Sequence, residues 1–312
     1  MGREFKEIAD YREIDWIAYR GKHGVAGLNQ KIMSEVKFFQ PDMVFMQIQT
    51  GGVIDQRTAY TTSGKSYLVN WTGDVRTNIK WYIDLAPYVG TTMFTNMTDV
   101  KTLKDLALRS DYLQIGYDEK IYFPGERSLS VPDIIFLGNN YSHARTLFPG
   151  TKERQDMVNF LSETYGDQFK PYGIGWKNTK VLTTKDEPDH YRSAKIAINQ
   201  NHFLYERFSS DRIFRIMACG CFCLTRYYPG IEEEFTIGKH LEVWHDFEEL
   251  RDQIDYYLLN EGERQTIARN GYKLVSSSCT WKHRIKQLLE LYERYLDTRH
   301  QKPQAKKVLT DR

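Results

Sequence analysis

The chain has 312 residues, with 43 Lys and Arg against 41 Asp and Glu and a formal net charge of +2. That length exceeds what one core usually serves, so two domains are expected, and the near balance of charge gives no global pull toward nucleic acid or anionic membrane. Hydrophobic residues at 41% and aromatics at 14% exclude a disordered polymer, and no apolar run approaches the ~20 residues of a bilayer-spanning helix.

Residues 1–10 are polar and hold no signal-peptide core, so a cytoplasmic protein without membrane insertion is expected. Residues 14–19 read either as an opening strand or as a helix, and Gly21, Gly24 and Gly27 mark a loose turn. Their spacing is not the G-x-G-x-x-G fingerprint of dinucleotide binding, although contact with a ligand phosphate stays open. Residues 28–39 carry apolar side chains at helical spacing, Gln40-Pro41-Asp42 stops them, and Met43-Val44-Phe45-Met46 reads as a buried strand. Residues 66–70 and 91–95 predict further short strands, 100–110 a helix, and Tyr112-Leu113-Gln114-Ile115 a closing strand. Strands alternating with helices imply a parallel sheet.

The loop after the strand at 66–70 is Trp71-Thr72-Gly73-Asp74-Val75-Arg76. It combines an aromatic platform, a flexible glycine, a carboxylate and a guanidinium, which suits sugar stacking at Trp71 and hydroxyl or phosphate contact at Gly73, Asp74 and Arg76. Asp74 is the candidate base or acceptor-side contact; the competing reading has Asp74 capping the next helix and pairing with Arg76.

Strand and helix signals lapse at Phe123-Pro124-Gly125-Glu126. This divides the chain into an amino-terminal domain over 1–125, a carboxyl-terminal domain over 126–285, and a terminal helix with a mobile polar tail over 286–312. The second domain opens with a strand through Ile134-Ile135-Phe136-Leu137 that delivers Gly138 and Asn139 to a loop, with Arg145 and the basic run 152–154 close behind. A helix over 152–165, a turn at 171–176, a strand over 194–199 beside Lys195, a strand at 241–244 and helices over 248–259, 261–276 and 280–296 follow. Both halves therefore read as Rossmann-like α/β units, whose ligands settle at the carboxyl ends of the strands and here in a cleft between the domains.

Within the second half, residues 209–225 read as a short capped helix that stops at Gly220 and enters a buried strand. Ser209 or Ser210 can cap it, Asp211 suits its positive first turn, and its free N–H groups with Arg212 and Arg215 form a site for a diphosphate. The competing reading is an ordinary helix-turn-strand with solvated arginines. Cys219, Cys221 and Cys223 alternate on the strand side of this unit, too close for a zinc knuckle, so they are read as reduced core residues and no metal site is expected.

Phe136-Leu137-Gly138, Arg212-Ile213-Phe214-Arg215-Ile216-Met217-Ala218-Cys219-Gly220, Pro229-Gly230-Ile231-Glu232-Glu233, Glu249-Leu250 and Thr280-Trp281-Lys282-His283-Arg284 occur in that order. In this order and spacing the carboxyl half resembles glycosyltransferases of the GT-B fold, in the group 1 branch that includes spore-maturation-type and phage-borne sugar transferases. The amino half resembles them only in plan. The resemblance implies two Rossmann-like domains facing across a cleft with carboxyl-terminal helices packing back. It also implies a hexosyl- or pentosyltransferase with a nucleotide diphosphate sugar as co-substrate, no other cofactor, and retention by front-face attack without a protein nucleophile.

One departure concerns the family's glutamate at the nucleotide ribose or donor sugar, which is Arg215 here, while its partner eight residues earlier is Arg207. Nearby Glu206 or Glu232 are the carboxylates available instead, and the exchange turns a hydroxyl acceptor into a phosphate clamp. The chain contains no Asp-x-Asp motif, so cationic side chains, with Arg212 and Arg215 foremost, are expected to stabilise the leaving group without a metal. The acceptor reads as a glycan or small molecule, or as a modified DNA base, for which Arg57, Lys65, Arg76 and Lys80 would supply a basic stripe. The alternative is a non-catalytic two-domain clamp for a phosphorylated ligand or partner. A dinucleotide oxidoreductase is disfavoured because no G-x-G-x-x-G follows the first strand of either half. The sequence assigns no oligomeric state.

Overall fold

A computed structural model describes residues 2–144, 148–177 and 179–300. Arg145 and the polar tail beyond His300 lie outside the described residues.

The amino lobe runs α1 (Gly2–Ile8), α2 (Trp16–Phe39), β1 (Met43–Met46), α3 (Gln56–Ser63), β2 (Tyr67–Thr72), α4 (Lys80–Leu85), β3 (Thr91–Phe94), α5 (Met97–Asp105) and β4 (Ser110–Tyr112). Its four strands are parallel in the order β1-β2-β3-β4, with Phe45 opposite Val69 and Trp71 opposite Met93. Every residue of β2 is buried, as a strand covered on both faces requires. Helix starts are set locally: Asp15 accepts from the Ala18 N–H, Asp55 from Thr58 and Asn96 from Asp99.

Several elements depart from the sequence expectation. The ambiguous segment at 14–19 enters a helix at Trp16, and Gly24 at φ 71° splits α2 in two, so that Trp16 and Tyr19 pack on the cluster containing Leu28, Ile32 and Val36. The second predicted strand extends through Trp71 to Thr72, and the closing strand falls at Ser110–Tyr112 rather than 112–115. The helices α3 and α4 lack a long apolar period and escape a pattern-based reading.

The carboxyl lobe runs β5 (Ile134–Leu137), α6 (Thr151–Tyr165), β6 (Phe169–Tyr172), α7 (Glu187–Ser193), β7 (Ile196–Asn199), α8 (Asp211–Ala218), β8 (Phe222–Arg226), β9 (Glu242–Trp244), α9 (Phe247–Leu259) and α10 (Glu261–Ser278). Its five strands are also parallel, in the order β6-β5-β7-β8-β9. One apolar layer joins Ile135 and Ala197 to Ile213, Phe214 and Met217 of α8, and a second joins Phe136 and Ile198 to Met157 and Leu161 of α6. Cys219, Cys221, Cys223 and Cys279 are buried and unpaired.

The last helix, α11 (Trp281–His300), begins ahead of the boundary expected at 285/286 and returns to the amino lobe. Leu288, Leu291, Tyr292 and Tyr295 pack there with Tyr67, Val69 and Trp71. The lobes are tied at one polar knot, where Glu234 accepts from Tyr112, from Gln114 and from Ser209, while the Arg207 guanidinium lies 4.3 Å over the Tyr112 ring. Lys101 and Glu206 add an ion pair at 2.6 Å, and the Met97 N–H donates to the Glu206 carbonyl. Burial, with Glu234 beside it, pushes the Tyr112 phenol far above its usual range, so it serves as a permanent donor.

Glu234→Ala would remove the acceptor these donors share, leaving Tyr112 the Arg207 carbonyl at 3.2 Å, Gln114 the Tyr112 hydroxyl and Ser209 the Tyr228 hydroxyl, and a hydrogen bond to a charged group contributes about 1.5–3 kcal/mol. Urea denaturation should show a loss of about 1–3 kcal/mol; an unchanged midpoint would show that the knot does not hold the lobes.

Candidate functional site

Between the carboxyl ends of the two sheets lies a cleft of about 480 Å³. The amino lobe contributes the loop Gly73, Asp74, Val75 and Arg76; the carboxyl lobe contributes Gly138, Asn139, Gly173, His202, Asp211, Arg212 and Arg215. An apolar contact of Val75 with Phe203 and Phe208 joins the lobes along this wall.

On the amino side the loop leaves β2 and is pinned where the Thr72 hydroxyl donates to the Asp74 carbonyl at 2.8 Å. Arg76 donates to the Gln49 side chain at 2.7 Å and reaches Asp74 at 3.4 Å. Asp74 does not cap α4, which begins at Lys80 without a side-chain cap, and its side chain is 62% exposed. Trp71 is corrected from its expected role as a sugar platform: it is 3% exposed, its indole donates to the Leu113 carbonyl at 2.7 Å, and its ring packs between Phe45 and Trp281. A side chain at Gly73 would meet the Trp71 ring at 2.8 Å, so the tryptophan supports the loop from beneath.

On the carboxyl side, Gly138 and Asn139 are tied to the turn after β6. The Gly138 N–H donates to the Tyr172 carbonyl, the Asn139 side chain accepts from the Ile174 N–H, and the Trp176 indole donates to the Gly138 carbonyl. Gly173 sits at φ 141°, and a Cβ there would come within 2.5 Å of the Gly138 oxygen, which enforces glycine.

Cationic groups gather behind this turn. Arg154, on the apolar face of α6, is completely buried and donates only to oxygens of neutral groups: the Gln200 side chain at 2.8 Å, the Gln200 carbonyl at 2.6 Å and the Asn139 carbonyl at 3.0 Å. Arg212 donates to Asn199 Oδ1 at 3.0 Å and to the Gln200 carbonyl at 2.9 Å. Neither has a carboxylate partner among the described residues. Burial, with Arg212 adding to it, holds the Arg154 pKa well below the usual arginine value. The Ser210 hydroxyl turns to Asn199 and no side chain caps α8, so the helix start keeps donors free at the cleft.

Arg215 behaves differently. It lines the cleft but is compensated by Asp211 at 2.6 Å and by Glu187 at 3.1 Å, whose carboxylate also accepts from the Tyr122 hydroxyl. Burial opposes its charge, yet Asp211, Tyr122 and Glu187 raise its pKa above the ordinary value.

The other sequence candidates fall elsewhere. Ser209 is buried and bonds Tyr228 and Glu234 in the interlobe knot rather than capping α8. Arg207 pairs with Glu233 at 3.1 Å in that same knot, and Glu206 pairs with Lys101. Glu232 is exposed in the short 3-10 turn Ile231–Glu233 and does not line the cleft. Lys195 precedes β7, the central strand, at the amino ends of the strands and away from the cleft, and pairs with Asp133 at 2.8 Å. Gly21, Gly24 and Gly27 do not line the cleft either. Arg154 does not stand out in the sequence as a site group, because it lies within the basic run 152–154; its spacing with Met157, Val158 and Leu161 on the buried helix face is the available signal. Nothing local marks Glu187 or His202. Among the described residues no cluster of His, Cys, Asp or Glu is placed to hold a metal ion, and no helix is long and apolar enough to cross a membrane.

Residues 151–290 match a protein family described as glycosyl transferase-like. No curated protein matches the chain. Among solved structures, sucrose-phosphate synthase from Thermosynechococcus elongatus superposes with a TM-score of 0.60 at 11% identity over 89% of this chain and 80% of its own. Anabaena HepE in complex with UDP and glucose gives 0.63 at 13% identity, covering 88% and 83%. A glycosyltransferase from Rickettsia africae gives 0.63 at 12% identity, covering 94% and 87%. The chain has the GT-B fold, with two parallel-sheet lobes facing across a cleft.

Because Trp71 is a core residue, Trp71→Ala should destabilise the protein by about 3–5 kcal/mol. Calorimetry should show that loss as a lowered Tm; an unchanged Tm with lost ligand binding would restore the platform role.

Proposed function

We propose that the chain is a glycosyltransferase of the group 1 type that moves a sugar from a nucleoside diphosphate sugar to a hydroxyl acceptor. The observation that carries this reading is Arg212, lining the cleft at an uncapped helix start, with Arg154 buried behind it and held by the same Gln200 carbonyl, neither of them compensated by a carboxylate among the described residues. Two buried or half-buried cations without carboxylates have an electrostatic deficit that a diphosphate fills. Support for the donor class comes from HepE, solved with UDP and glucose in the same fold.

In this mechanism Arg212 and the α8 N–H groups stabilise the charge that develops on the diphosphate as its bond to the sugar C1 breaks, and Arg154 supplies fixed positive potential behind them. The acceptor hydroxyl attacks C1 from the same face, and its proton passes to the departing phosphate, which gives retention without a protein nucleophile. Asp74 and Arg76, on the opposite wall, orient the acceptor. Positive side chains take the part a metal ion plays elsewhere, so activity is expected to survive chelators. Arg215, held by Asp211 and Glu187, shapes the wall rather than carrying leaving-group charge.

A glycan or small-molecule acceptor fits better than DNA. Of the basic residues that would form a stripe, Lys80 is paired with Asp84 at 2.7 Å and Arg76 is turned to Gln49 and Asp74. Unpaired buried thiols suit a reducing compartment and a cytoplasmic site of action.

A thermal-shift panel of nucleoside diphosphates and their sugars tests the reading, since a ligand at 100 times its Kd stabilises by about 2.7 kcal/mol. Arg212→Ala should abolish the shift while unfolding stays cooperative, whereas Asp74→Asn should keep the shift and lower kcat. No shift with any nucleoside diphosphate, or a product of inverted configuration, would overturn the corresponding claim.

A further inference from the structure

His202 has no role in the transfer as described, yet it is the most conspicuous polar group in the cleft. It follows β7 on the loop Gln200-Asn201-His202-Phe203 and lines the cleft wall. Both of its ring nitrogens are shut off from solvent, and neither has a hydrogen-bond partner among the described residues. The ring sits in an aromatic nest, edge-on to Tyr141 at 5.1 Å and tilted against Phe148 at 5.1 Å. An imidazole always carries at least one donor or acceptor that a phenyl ring lacks, so a nest of this kind would be better filled by phenylalanine if packing were the only requirement.

Its electrostatic surroundings supply a reason. The charged groups acting on it are Arg154 of α6 and Arg212 of α8; burial and these two cations together hold the His202 pKa down at about 2. Tyr141, from the loop after β5, is the other titratable group against the ring, and Asp211 and Asp74 lie farther along the same cleft. The imidazole is therefore neutral, its protonated form disfavoured by these neighbours. A dianion seated on Arg212, with Arg154 behind it, offsets the field of the two cations and offers the acceptor oxygens that the ring lacks.

We propose that His202 is a ligand for the diphosphate, a third donor that turns about its side-chain torsions to bond a phosphate oxygen once the anion has neutralised Arg154 and Arg212. The contact forms only with the anion present, so it senses the occupied site. No bond is made or broken and no proton leaves the protein. This rests on the diphosphate reading of the cleft, and it concerns the anion alone, whatever group the anion carries.

Inorganic pyrophosphate, UDP and uridine are the probes, titrated calorimetrically into the full-length protein and its His202→Phe and His202→Gln variants. His202→Phe should weaken pyrophosphate and UDP by about tenfold or more and leave uridine unchanged, with His202→Gln recovering part of the loss. In the absence of ligand His202→Phe should match or exceed the parent Tm, because it removes two orphaned nitrogens; opposite movement of stability and affinity separates a ligand role from a packing role. The imidazole 15N resonances of His202 should shift on adding pyrophosphate. Equal pyrophosphate affinity in His202→Phe, unmoved resonances, or no pyrophosphate binding by the parent protein would each overturn the inference. Pyrophosphate binding that depends on His202, with no nucleotide sugar bound or turned over, would instead overturn the transferase reading and leave this one standing.

Discussion

The charge balance of the cleft floor depends on Gln200. Its side-chain and main-chain oxygens hold Arg154, and its carbonyl also holds Arg212, so one residue at the end of β7 anchors both guanidiniums. Oxygens of neutral groups orient the cations without neutralising them. A carboxylate in the same place would have made a satisfied ion pair; amide oxygens leave a local field of one sign. Placing an arginine at zero exposure in this state costs on the order of several kcal/mol, and it is tolerated because the surrounding α6, β5 and β7 packing is dense enough to impose it.

Arg215 shows the contrast within one helix. It lies one turn from Arg212, also faces the cleft, and is closed off by Asp211 and Glu187. The two arginines have the same chemistry, and their different partners leave one compensated by carboxylates and the other held only by neutral oxygens. Glu187 arrives from α7, so a carboxylate stands near this part of the cleft even though the helix carries arginine at 215. It is committed to a guanidinium and to the Tyr122 hydroxyl, which makes this wall a rigid ion-paired surface.

The seam between the lobes is the second constraint on the cleft. Glu234, Tyr112, Gln114 and Ser209 form a polar knot on one side, and Val75 with Phe203 and Phe208 an apolar contact on the other. Strands from separate sheets thus present their loops to a common space at a set distance. Arg207 and Ser209, which precede the α8 start in the chain, are used up in this knot, while Ser210, Asp211 and Arg212 line the cleft.

Much of the architecture could be read from the chain because its causes are local: four-residue apolar runs at β1 and β5, the stop at Gln40-Pro41, and the helix-glycine-strand unit around α8. The Gly138-Asn139 loop, the Asp74-Arg76 loop and the α8 start were legible as well, since strand ends in parallel sheets carry ligand loops by topology. What a sequence determines is which side chains sit at those ends. Whether Trp71 faces sugar or core, whether Ser209 caps a helix or ties two lobes, and which arginine keeps its charge free depend on residues far away in the chain: Leu113, Glu234 and Glu187. Burial and charge compensation are properties of what packs against a group, so only the tertiary structure decides them.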